Sequence, residues 1–123
     1  MLYLLLIYGD EDGWEALSDE ERQAAIGEYG ALRRDLAAQD KYGGSNELHG
    51  VETATTVRVR EGDALVTDGP FAETKEQVGG YFLVDAESLD EAIEWAARIP
   101  AARRGAVEIR PVVERGGGGS STS

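Results

Sequence analysis

Residues 2–8 are apolar or aromatic in both alternating sets, Leu2/Leu4/Leu6/Tyr8 and Tyr3/Leu5/Ile7. A strand with one wet face alternates apolar with polar residues, so this run predicts a strand covered on both faces and therefore central in its sheet. Residues 81–84, Tyr-Phe-Leu-Val, repeat the pattern and predict a second central strand. Near the C-terminal end, Val107 and Ile109 alternate with Glu108 and Arg110, as a half-exposed strand does. Residues 55–68 read as a hairpin, with Thr55, Val57 and Val59 on one face and Thr56, Arg58 and Arg60 on the other. With Glu61, Gly62 and Asp63 as a three-residue turn, Arg60 faces Ala64, Arg58 faces Val66 and Thr56 faces Asp68. That register makes Arg58 and Asp68 diagonal neighbours on one face. Residues 41–50, KYGGSNELHG, show no period and are expected to be irregular.

Two stretches carry the helical period. In SDEE, Ser18 is placed to be an N-cap with Glu21 as its capping-box partner, opening a helix from residue 19 to about residue 39. Its apolar stripe is Ala25, Tyr29, Leu32 and Leu36, while Gly27 and Gly30 each cost up to ~1 kcal/mol relative to alanine, implying close packing or a loose turn there. Ser88 and Glu91 predict a second capping box, followed by Ala92, Ile93, Ala96 and Ile99 facing inward and Pro100 ending the helix. Gly79 and Gly80 at a strand entrance predict a bulge or a close backbone approach. The resulting order is that of an α+β sandwich, with two helices on one face of a largely antiparallel sheet. Two helices leave the second face of the doubly apolar strands uncovered, and a second copy of the same sheet is the simplest cover, so a homodimer is expected.

Composition narrows the chemistry. The chain of 123 residues fits one domain, expected over residues 1–114, with RGGGGSSTS at 115–123 as a flexible tail. The absence of cysteine excludes disulfides and thiolate chemistry and suits the reducing cytoplasm. The apolar run at the start lacks a basic flank and meets acids at once, so it reads as a strand rather than a signal peptide. A formal net charge of -12 opposes phosphate backbones and anionic membranes, which excludes nucleic acid and membrane as direct partners. The single histidine, His49, offers no zinc cluster and reads as an incidental loop residue; no metal or cofactor is expected.

Asp68-Gly69-Pro70-Phe71, Glu73-Thr74-Lys75-Glu76, Gly79-Gly80-Tyr81 and the run from Trp95 to Pro100 fall in the order found in the bacterial DGPF-domain proteins, a branch of the YCII-related superfamily, which the chain closely resembles. The resemblance implies a ferredoxin-like fold that dimerises as an α+β barrel, a function mostly unassigned, and an association with extracytoplasmic-function sigma factors. Enzymatic relatives look as if they pair a histidine on the first long helix with an aspartate before the proline ending the second. Here that helix has no histidine and Ile99 precedes Pro100, so the dyad does not carry over and no catalytic residue is assigned.

The candidate ligand-binding set is Arg58, Asp68, Gly69, Pro70, Phe71, Glu73, Lys75 and Glu76. An Asx turn at Asp68 is blocked because Pro70 has no N–H, leaving the Phe71 N–H, Arg58 or a cavity as its partner. Gly69 and Pro70 make the corner, and Phe71 is expected to anchor it in the core. Lys75 could bind an anionic ligand, and a carboxylate crowded by Glu73 or Asp68 could rise in pKa toward general-base use; as surface ion pairs the same residues contribute at most about 1 kcal/mol. Tyr81 and Trp95 read as core. Two functions remain in view: a small-molecule site in a dimeric barrel, with acid–base chemistry an option, or a regulatory protein that docks a partner such as a sigma factor.

Overall fold

In the computed structural model, which describes residues 1–115, β1 (Leu2–Gly9) lies between β5 (Gln77–Asp85) and β6 (Ala106–Pro111), and β2 (Tyr42–Glu47) closes the far edge next to β5. Every pairing is antiparallel. Helix α2 (Asp19–Ala38) joins β1 to β2, and α3 (Leu89–Ala97) joins β5 to β6. This is the α+β, ferredoxin-like arrangement, with both doubly apolar strands central. A short helix α1 (Glu11–Glu15) precedes α2, and the hairpin of β3 (Thr55–Arg60) and β4 (Asp63–Asp68) forms a two-stranded sheet of its own.

The first predicted capping box forms. Ser18 Oγ accepts the Glu21 N–H at 3.0 Å while Glu21 accepts the Ser18 N–H at 2.9 Å, so two orphan donors of α2 are satisfied reciprocally. Ala25, Leu32 and Leu36 are buried and Tyr29 is half-buried, stacking on Phe82 at 6.2 Å. A Cβ added at Gly27 would meet nothing within 4 Å, so no close packing explains that glycine. Tyr3 and Leu5 of β1, Phe82 and Val84 of β5 and the inner faces of α2 and α3 make one core.

The structure corrects five expectations. Residues 42–47 are the edge strand β2: its ladder to β5 supplies the order that its glycine-rich sequence does not advertise. The hairpin turn has two residues, Glu61 at φ 52° and Gly62 at φ 84°, because two positive φ angles match the twist of the flanking strands. Arg60 therefore faces Asp63, Arg58 faces Leu65 and Thr55 faces Asp68, which puts Arg58 and Asp68 on opposite faces. Phe71 is 74% exposed, since the hairpin does not pack on the core and the corner has no core to enter. Ile93 points to solvent: the buried face of α3 is Ala92, Trp95 and Ala96, continued by Ile99, and Ile93 lies a hundred degrees round the helix from Ala92. Finally, Ser88 Oγ accepts the Glu91 N–H at 3.1 Å, but the Glu91 carboxylate accepts from Glu87 N–H instead of closing the second capping box.

The glycine pair behaves as its sequence suggests. Ile7 pairs with Gly80 and Tyr8 with Val78, leaving Gly79 as the extra residue of a bulge. A Cβ at Gly80 would stand 2.8 Å from the Asn46 carbonyl oxygen, so only glycine lets β2 approach. The remaining face of the sheet carries Leu2, Leu4 and Leu6, with Leu83 opposite Leu4 and Tyr81 opposite Leu6; all are half-buried and neither long helix covers them. Polar pairs flank this stripe: Tyr8 donates to Glu108 at 2.9 Å on one side, and Asn46 donates to Tyr81 Oη at 2.7 Å on the other. Residues 116–123, most of the expected tail, lie outside the described residues. No helix among the described residues is long and apolar enough to cross a membrane.

Candidate functional site

The bulge at Gly79 brings the loop before β5 to the end of β1. There, Tyr8, Asp10, Thr74, Lys75, Glu76 and Arg104 surround an open cleft of about 610 Å³. Local chemistry places the segments that carry these residues. Asp10 N-caps α1, its carboxylate accepting the Asp12 N–H at 3.0 Å. The loop is shaped from within: Gln77 donates to the Ala72 and Thr74 carbonyls at 2.8 and 3.1 Å, and the Thr74 hydroxyl donates to the Glu76 carbonyl at 2.6 Å. Arg104 follows the 3-10 turn Pro100–Arg103 that Pro100 begins. Its neighbour Gly105 lies so close to the Tyr8 carbonyl oxygen that a Cβ would collide with it, so β1 fixes the position of the Arg104 backbone.

Two cations, Lys75 and Arg104, line this cleft, and among the described residues neither forms an ion pair or donates a side-chain hydrogen bond. In a chain of net charge -12, Arg22, Lys41, Arg98, Arg103 and Arg110 find carboxylates, whereas Lys75 and Arg104 are among the cations that the fold leaves outside any ion pair. Asp10 and Glu76 line the same cleft, and the hydroxyl protons of Tyr8 and Thr74 are committed to Glu108 and the Glu76 carbonyl. The groups left to hold an anion through charge-assisted hydrogen bonds are therefore the two cations.

The groups whose pKa the fold displaces all move away from neutrality. The hydrogen bond to Glu108 stabilises the neutral phenol of Tyr8 and raises it above 10. Burial raises Tyr29 likewise. Glu91 falls to about 2, first because it accepts the Glu87 N–H and then through Lys41 and Trp95. None of these shifts prepares a general base for neutral pH.

The sequence-predicted residues separate into two places. Lys75 and Glu76 line the cleft. Arg58 sits 5.3 Å from the centre of the Phe71 ring, a cation–π contact at the base of the hairpin and away from that lining. Gly69, at φ +107°, ties the hairpin base: its N–H donates to the Ala54 carbonyl at 2.8 Å and its own carbonyl accepts from Thr56 at 2.7 Å. Pro70 completes the corner, Glu73 is exposed in the loop, and the Asp68 carboxylate accepts from neither Arg58 nor the Phe71 N–H. Tyr8, Asp10 and Arg104 were not legible as site residues. Each belongs to a different element, and only the antiparallel pairing of β1 with β5 and β6 brings them together.

Fold and cleft together define a small α+β protein with an antiparallel sheet and a charged cleft at one sheet end. The chain belongs to the YCII-related domain family, whose model matches residues 1–115. It is 40% identical over 114 residues to an uncharacterised protein of Rhizobium meliloti (strain 1021), an alignment covering 91% of this chain and 92% of that protein.

Proposed function

We infer that this YCII-related protein is a member of the DGPF branch that binds a small anionic molecule in the cleft at the end of β1. The branch assignment rests on the Asp68-Gly69-Pro70-Phe71 motif and the ordered segments around it. The single observation that carries the binding reading is the pair Lys75 and Arg104, two cations that, among the described residues, form no ion pair and line one cleft of an acidic chain, with Asp10 and Glu76 beside them. Binding is favoured over acid–base catalysis because Tyr8, in the cleft, is displaced away from neutrality by its hydrogen bond to Glu108. A thermal-shift screen of anionic metabolites against wild type, Lys75→Ala and Arg104→Gln tests it. At least one anion stabilises wild type and loses most of that effect in both variants; equal stabilisation of all three proteins sinks the site.

A second copy is proposed to cover the open sheet face, whose leucine stripe and flanking Tyr8/Glu108 and Tyr81/Asn46 pairs have the apolar centre and polar rim of an interface. One observation favours a second reading, in which the protein docks a macromolecular partner such as a sigma factor. Val57, Val59 and Val66 share one hairpin face and are 59%, 60% and 65% exposed. A partner bound there would be lost with Val57→Asp, while anion binding would persist.

A further inference from the structure

A second, smaller cleft opens beside the first. It measures about 140 Å³ and lies between α1, α2 and the 3-10 turn after α3, with Trp14, Tyr29, Pro100 and Ala101 as its principal walls. Asp10 and Arg104 line both clefts, so the two are neighbours across a shared wall. Their chemistry differs: the larger holds Lys75, Glu76 and Thr74, whereas the smaller is bounded by two aromatic rings, a proline, an alanine and bare glycine backbone. An apolar cavity of about 150 Å³ accepts benzene, so the smaller cleft has room for one six-membered ring and little more.

The walls are fixed before any ligand arrives. Tyr29 stacks on Phe82 of the core. Helix α1, which carries Trp14, is tied at both ends. The Arg22 guanidinium donates to the carbonyls of Trp14, Glu15 and Leu17 at 3.2–3.3 Å and lies 5.8 Å from the Trp14 ring, and Glu11 accepts the Val51 N–H at 2.9 Å. A slot between pre-ordered aromatic walls binds a flat ring without the entropic cost of closing on it.

We propose that the ligand is a small aromatic carboxylate, its anion held by Arg104 and Lys75 and its ring inserted between Trp14 and Tyr29. This rests on the anion-site reading above and adds the ring to it. Purely aliphatic anions satisfy the charges but leave the apolar slot to water, and neutral aromatics fill the slot but leave two cations unpaired. Only a molecule with both parts uses both clefts.

The chain supplies its own reporter. Trp14 is 37% exposed and lines the slot, while Trp95 is 8% exposed and donates its indole N–H to Glu91. Intrinsic fluorescence is titrated with phenylacetate, propionate and phenylacetamide on wild type, Trp95→Phe and Arg104→Gln, with calorimetry for any binding that leaves the signal unchanged. Phenylacetate is expected to bind about tenfold or more tightly than propionate, as burial of one ring predicts. It changes the fluorescence equally in wild type and Trp95→Phe, and loses affinity in Arg104→Gln. Equal affinities for phenylacetate and propionate, both dependent on Arg104, overturn the ring slot and leave the anion site standing. Phenylacetamide binding as tightly as phenylacetate overturns the anion site and with it this proposal, and no binding by any of the three compounds overturns the ring slot.

Discussion

Glu91 does more for this fold than its place on α3 suggests. One carboxylate oxygen accepts the Glu87 N–H at 2.8 Å, and the other accepts Trp95 Nε1 at 2.9 Å and lies 2.7 Å from Lys41 Nζ. The first residue after the Asp40 turn, a helix start and a core tryptophan thus converge on one anion, whose pKa drops from 4.5 to about 2. A depressed carboxylate stabilises the fold fully above its unfolded pKa and loses that contribution as pH falls through its folded one. Acid titration of thermal stability should accordingly show a Glu91-dependent loss between about pH 4.5 and pH 2. Glu91→Gln should lower stability at pH 7 by roughly 1.5–3 kcal/mol, the range for hydrogen bonds to a charged group, and should flatten that part of the titration. Gly27 sits at the opposite extreme. It is exposed within α2 and a Cβ there meets nothing within 4 Å, so Gly27→Ala should raise stability by up to ~1 kcal/mol in a denaturant melt.

Among the elements, the hairpin is the one that stands apart. β3 and β4 pair only with each other, and every residue of the two strands except Thr56 is exposed. A lone two-stranded hairpin is marginal in water, so its order draws on the tie at its base, where Gly69 and Ala54 close the loop and Thr56 grips Gly69. Replacing residues 56–67 with a short glycine-serine link should therefore leave the core intact. The melting temperature is expected to change by no more than a few degrees; loss of cooperative unfolding would show that the hairpin supports the core. The hairpin also shows how a small error of turn chemistry travels. Taking Asp63 into the turn shifts the register by one, and since side chains alternate with period 2, that single step moved Asp68 to the wrong side of Arg58.

For the whole molecule, the open sheet face is decisive. Four leucines, two tyrosines and their polar neighbours form a continuous strip that the two long helices do not reach, because both pack on the other side. If a second copy covers it, sedimentation of the wild type gives a dimer, and Leu4→Arg, placing a charge at the centre of the strip, gives a folded monomer by circular dichroism. A monomeric wild type at micromolar concentration would overturn the proposal.

The long-period signals were readable from sequence because each is a local contract. Ser18 and Glu21 make the N-terminus of α2 with no help from elsewhere, and the double apolar pattern of β1 and β5 fixes their central position by burial alone. Lys75 and Glu76 could be singled out as charges beside a corner. The residues that complete the cleft with them could not: Tyr8, Asp10 and Arg104 are nearly a hundred positions apart at the extremes, and nothing in their neighbours' identities announces that β1 and β6 pair so that Gly105 abuts Tyr8. β2 was hidden for the same reason, since a glycine-rich edge strand takes its conformation from its ladder to β5. What the sequence determined by itself was the two long helices with the serines that cap them, and the central, buried place of β1 and β5. Tertiary structure decided which charges meet and which are left without partners, because those depend on strand register and on where chain ends cross.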